Sequence, residues 1–139
     1  MKWSLYKLWS GFGIMTPEEK RETADKILKA IEARYGFVPL VNQVLAEDPD
    51  LFIPTANLSK AALESDTKKL DPKTSYLCAV AAATALGAEH CVRAQGTHAK
   101  AAGVTKAEMM EAMFIGSYMA MTRSQSYAFR VLQDLYKEE

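Results

Sequence analysis
Apolar positions along this chain recur at helical spacing almost everywhere. In TPEEKRETADKILKAIEARYG, residues 16–36, Ala24, Ile27, Leu28 and Ile31 follow the i, i+3, i+4, i+7 rule of a single apolar face. Thr16 stands as N-cap, Pro17 takes the first helical position, and Glu19 falls where a capping box needs its carboxylate. Gly36 reads as a left-handed stop. FVPLVNQVLAED then predicts a short apolar helix. In DPDLFIPTANLSKAALES, Asp48 and Pro49 restart the chain, while Pro54 limits where a helix can run.

Asp71–Pro72 marks a second strong start. The segment behind it, YLCAVAAATALG, is alanine-rich and apolar on almost all sides, which predicts a helix buried at the centre of the fold. Gly87 stops it, and EHCVRAQGTHAKAAG forms the next helix up to Gly103. Thr105 and Glu108 make another capping box that opens AEMMEAMFIGSYMAM. SQSYAFRVLQDLYKEE reads as a separate last helix with Tyr127, Val131, Leu132 and Leu135 on its apolar side. No segment alternates like a strand. The predicted fold is all-α, a single-domain antiparallel bundle of six to eight helices, because the very short connections at Gly87 and Gly103 favour antiparallel neighbours. Residues 1–15 form an amphipathic arm and residues 16–139 the helical domain. Trp3, Leu5, Tyr6, Leu8, Trp9 and Phe12 give the arm more large apolar groups than water tolerates, so burial against its own domain or another subunit is expected, and with it an oligomer.

Composition narrows the function classes. The 139 residues carry 17 basic and 17 acidic side chains, so no net field draws in nucleic acid or an anionic membrane. No apolar run is long enough to span a bilayer, and the N-terminal apolar stretch is interrupted by Lys7 and Ser10 without a cleavage site after it. A cytoplasmic protein is expected. Two cysteines, Cys78 and Cys91, are too few for a disulfide framework and lack zinc-site spacing, and no cofactor or metal is implied.

The candidate chemistry lies in GAEHCVRAQGTHAK, residues 87–100. Cys91 falls in the first turn of a helix, where backbone N–H groups and the helix dipole favour a thiolate. His90 is its neighbour and Arg93 adds positive potential. Gln95, one turn on, is placed to hydrogen-bond the sulfur. His98 is on the same face, but two turns on, roughly 10 Å along the axis, so contact with Cys91 needs a bridging water or substrate. An inert Cys91, a small apolar side chain in an alanine-rich hairpin, is as well supported by local physics as a reactive one. Cys78 belongs to the apolar helix and is predicted too far from Cys91 for a disulfide.

Residues 76–116, with weaker agreement from Phe37 to the C-terminus, resemble the carboxymuconolactone decarboxylase and alkylhydroperoxidase D superfamily. LCAVAAATALGAEHCV leads into AKAAGVTKAEMMEAM, which is similar to the family pattern A-x-x-x-G-x-T-x-x-E-I-x-E through Gly103, Thr105, Glu108 and Glu111. The resemblance implies an all-helical fold assembling as trimers or hexamers, and one of two activities. Peroxidase-type members use C-x-x-C-x-x-x-H: the cysteine pair reduces a hydroperoxide, closes to a disulfide and is recycled by a dithiol, while the histidine and an upstream glutamate relay protons. Decarboxylase-type members use a histidine to protonate a lactone as carbon dioxide leaves. Counted back without gaps from Gly103, the first motif cysteine falls on Ala88, the second on Cys91, the histidine on Gln95 and an upstream glutamate on Tyr76. His90 matches a histidine found between the cysteines in some members. A shifted register aligns His98 with the motif histidine, but puts Ala94 at the second cysteine and misplaces Gly103.

The resulting expectation is a thiol-dependent peroxidase or redox enzyme with a single cysteine. Cys91 is the nucleophile, His90, Gln95 and His98 assist, and an external thiol or dithiol acts as reductant. The alternatives are a decarboxylase-type enzyme on a small acidic ring compound, held by His98, Arg93 or Arg123, and a non-catalytic oligomeric binding protein with a degenerate site.

Overall fold
The structure, a computed structural model, describes residues 15–64 and 68–137. Its regular elements are six helices: α1 (Pro17–Tyr35), α2 (Leu40–Leu45), α3 (Pro49–Glu64), α4 (Pro72–Ala85), α5 (Glu89–Ala101) and α6 (Lys106–Leu135). No strand occurs among the described residues. The all-α expectation therefore holds. Apart from Met15, the N-terminal arm lies outside the described residues.

The chain clusters into two compact units, which divide between Ala62 and Leu63. In the first, α1 starts with the expected capping box: Thr16 Oγ1 accepts from the Glu19 N–H and the Glu19 carboxylate accepts from the Thr16 N–H. Gly36 closes α1 at φ 77°, with its N–H on the Glu32 carbonyl. Ala24 of α1 and Phe52 of α3 are buried, and Lys20 pairs with Asp50 between the two helices. Helix α3 continues through Pro54 instead of stopping there. Proline removes one donor, to the carbonyl four residues back, and both Pro54 and Asp50 are exposed, so water can satisfy the freed oxygen.

The second unit holds the candidate chemistry. Asp71 caps α4 by accepting from the Thr74 N–H at 3.0 Å and from the Thr74 hydroxyl. Helix α4 packs against both α5 and α6 and buries Ser75, Tyr76, Val80 and Ala83. Burial on almost all sides was expected, but Cys78 and Ala82 are exposed. Side chains this small cost little to leave in water. Gly87 and Gly103, at φ 67° and 84°, turn the chain between α4, α5 and α6.

Two contacts fix α6 on α4. Lys73 in the first turn of α4 meets Glu108 in the first turn of α6 at 2.7 Å. Further along, a Cβ on Gly116 would stand 2.2 Å from the Ala81 carbonyl oxygen and 3.1 Å from the Thr84 Cβ, so only glycine permits this approach. Helix α6 then runs without interruption to Leu135, merging the two helices expected from the sequence. The polar stretch around Thr122 and Ser124 contains no helix breaker. Both hydroxyls turn back onto the helix, donating to the Met119 and Ala120 carbonyls at 3.0 and 3.2 Å.

Candidate active site
The site is built on α5, whose start differs from those of α1, α4 and α6. Those three carry a side-chain cap from Thr16, Asp71 and Thr105, whereas Ala88 at the N-cap of α5 offers none. A methyl group cannot accept from the first-turn N–H groups, so the end of the helix dipole is left to whatever approaches from solvent. Cys91 is in this first turn as an exposed free thiol. His90 is exposed beside it, about 100° further round the helix. Arg93 does not face Cys91; it pairs with Glu89 at 3.2 Å, on the far flank of α5.

Cys91, Gln95 and His98 share one flank of α5, as the spacing predicts, but they differ steeply in burial. The thiol is exposed, Gln95 is partly buried and His98 is only 9% exposed. The His98 ring stacks on Tyr76 of α4, with centroids 5.5 Å apart and planes at 28°. Such a pair contributes roughly 1 kcal/mol beyond its buried area. Tyr76 in turn belongs to a core of Ala99 and Val104, with Leu77, Ala102 and Met109 against it. The Gln95 Oε1 is buried and accepts no hydrogen bond among the described residues, and the same is true of Ser75 Oγ. A buried amide oxygen left unsatisfied is costly, so its acceptor capacity is poised for a donor.

The residues most diagnostic in sequence turn out to hold the corner between α5 and α6. Gly103 takes the positive φ, and Thr105 caps α6 in a full capping box with Glu108. The Glu108 carboxyl is held at about 2, below its usual 4.5, by the Lys73 ammonium first and then by the Thr105 N–H and hydroxyl. Its role is to lock the first turn of α6 to α4.

A model of the carboxymuconolactone decarboxylase family matches residues 49–134, more than half of the chain. The chain belongs to this family. The comparisons with curated proteins and with solved structures found no match. The family match covers every residue of the candidate site, including Tyr76, Ala88, Cys91, Gln95 and His98. Among the described residues, no three His, Cys, Asp or Glu side chains come together as metal ligands, and no helix is long and apolar enough to cross a membrane.

Two features escaped the sequence reading. One is the Tyr76–His98 stack, since nothing in either helix alone pairs them. The other is a groove on the opposite flank of α5, lined by Arg93, Lys100 and Lys106 and by methionines of α6. Its signal was present as the stripe Glu89, Arg93, Gly96 and Lys100, but a charged stripe on a helix also describes an ordinary solvated face.

Proposed function
We propose that this member of the carboxymuconolactone decarboxylase family is a thiol-dependent peroxidase or redox enzyme that works with Cys91 alone. The observation that carries this reading is the exposed Cys91 thiol in the uncapped first turn of α5. The Cys91 thiolate attacks the distal oxygen of a hydroperoxide, the O–O bond breaks, and the alcohol leaves with a proton, giving a sulfenic acid. An external dithiol then restores the thiol: one sulfur displaces water from the sulfenic acid, and the second resolves the mixed disulfide. The first-turn N–H groups of α5 have no side-chain cap and are open to the incoming peroxide, with exposed His90 next to Cys91 as a proton carrier. Cys78 is exposed on α4 and serves in this reading only as an internal control. The apolar residues Tyr127, Phe129, Val131, Leu132 and Leu135, each more than half exposed on α6, support the expectation that the enzyme works as a homo-oligomer.

The test is intact-mass analysis after brief hydroperoxide exposure with a sulfenic-acid trap, followed by peptide mapping. Selective labelling at Cys91, lost in Cys91→Ser and kept in Cys78→Ser, is the expected result. Peroxide consumption that survives in Cys91→Ser would overturn the reading.

The buried Tyr76–His98 stack favours a second reading, acid–base chemistry on a small acidic ring compound. In that case turnover survives alkylation of Cys91 and is lost in His98→Ala. Arg93, one of the carboxylate anchors expected from the sequence, points to the other flank of α5 and does not serve this pair.

A further inference from the structure
On the flank of α5 turned away from Cys91 lies an open groove of about 850 Å³, bounded by α5 and the first turns of α6. Its size falls within the range of small-molecule sites. The two ends of its lining differ in chemistry. Lys100 and Lys106 flank the corner between α5 and α6, Glu89 and Arg93 line the groove about two to three turns back along α5, and Met109, Met110 and Met113 give a flexible apolar strip along α6. Of the cations, Arg93 already pairs with Glu89. Lys100 and Lys106 make no ion pair with any described residue.

The floor of the groove contains an independent sign that the space is kept open. Gly96 lies in the middle of α5, where glycine weakens a helix relative to alanine. Neither of the usual reasons for a glycine applies. Its φ is not in the positive range, and an added Cβ would meet only the tip of Met109 at 4.0 Å. Close helix packing, which explains Gly116, does not explain Gly96. Any larger side chain here would project into the groove.

We propose that this groove binds a free amphipathic carboxylate, its apolar chain lying on the methionine strip over Gly96 and its carboxylate held by Lys100 and Lys106. The occupant is a soluble small molecule of the fatty-acid type, bound separately from the chemistry at Cys91. The charge pattern selects it. One anionic head matches the two ammonium groups of Lys100 and Lys106, the other two charges of the lining, Glu89 and Arg93, pair with each other, and the methionine strip takes an apolar chain.

Titration of the full-length protein with dodecanoate below its micelle concentration, followed by calorimetry, tests this, with dodecanol and dodecylammonium as controls. Saturable binding is expected for dodecanoate, weakening as salt is raised, with neither control competing. Lys100→Glu with Lys106→Glu should weaken it by roughly tenfold or more. Gly96→Leu should abolish it while the protein stays folded, since leucine is a better helix former than glycine. Four results would overturn the proposal: no saturable binding, equal affinity for dodecanol, unchanged affinity in Gly96→Leu, or capture only by phosphatidylglycerol vesicles. A change of oligomeric state in Gly96→Leu without ligand binding by the parent protein would likewise overturn it, assigning the groove to a second copy of the chain.

Discussion
Gly96 and Gly116 are both glycines inside helices of the same compact unit, and they have opposite surroundings. At Gly116, α4 and α6 approach so closely that a Cβ would enter the Ala81 carbonyl; at Gly96, α5 and α6 stand apart and a Cβ would meet almost nothing. The first glycine is required by packing. The second leaves packing unused, in a helix that would be more stable without it. Small residues in a helix therefore have two meanings here, a seam and a gap, and only the neighbour across from each tells them apart. Helix α4 is the element that makes the difference, because it packs on both other helices of the unit and leaves α5 and α6 little contact of their own.

The sharpest way to break this comparison is to add the same methyl group at both positions. Gly116→Ala must push α4 and α6 apart or distort the helix, and should cost about 3 kcal/mol in denaturant unfolding, the upper range for overpacking. Gly96→Ala should instead stabilise the protein, by up to about 1 kcal/mol. Equal and opposite signs are not needed, but a destabilising Gly96→Ala would mean that α5 and α6 do meet at the groove.

A smaller effect tests the other anchor of α6. The Glu108 carboxyl is depressed to about 2 by Lys73 and Thr105, whereas an unfolded chain holds it near 4.5. A depressed carboxyl contributes stability that is complete above the unfolded value and is lost as pH falls toward the folded one. The wild-type protein should therefore exceed Glu108→Gln in thermal stability at pH 7, and the gap should close as pH falls from about 4.5 toward 2. The group is partly exposed, so the gap should be modest and should shrink in high salt. A gap that persists at pH 2 would assign the effect to the neutral capping bonds instead of the ion pair.

Much of the fold was legible in the chain itself. Capping boxes at Thr16 and Thr105, the Asp71 cap and the three left-handed glycines are local devices, decided by residues within a few positions of one another. Local hydrogen bonding is what sequence displays. The same applies to the family pattern, because Gly103, Thr105 and Glu108 shape one corner between two helices. The boundary inside α6 was misjudged for the complementary reason: Thr122 and Ser124 favour turns as isolated residues, yet their hydroxyls bond back into the helix.

What the sequence by itself determined is the set of helices, the corners that join them, and the presence of one cysteine in the first turn of a helix. Each depends on interactions over a turn or less. Only the tertiary structure decided which flank of α5 each side chain serves. It turned His98 inward onto Tyr76, left Cys91 in solvent, and set Arg93, Gly96 and Lys100 over the methionines of α6. The physical reason is that α5 carries polar residues on several flanks, so what each of them meets is set by how α4 packs against it, a contact between residues far apart in sequence.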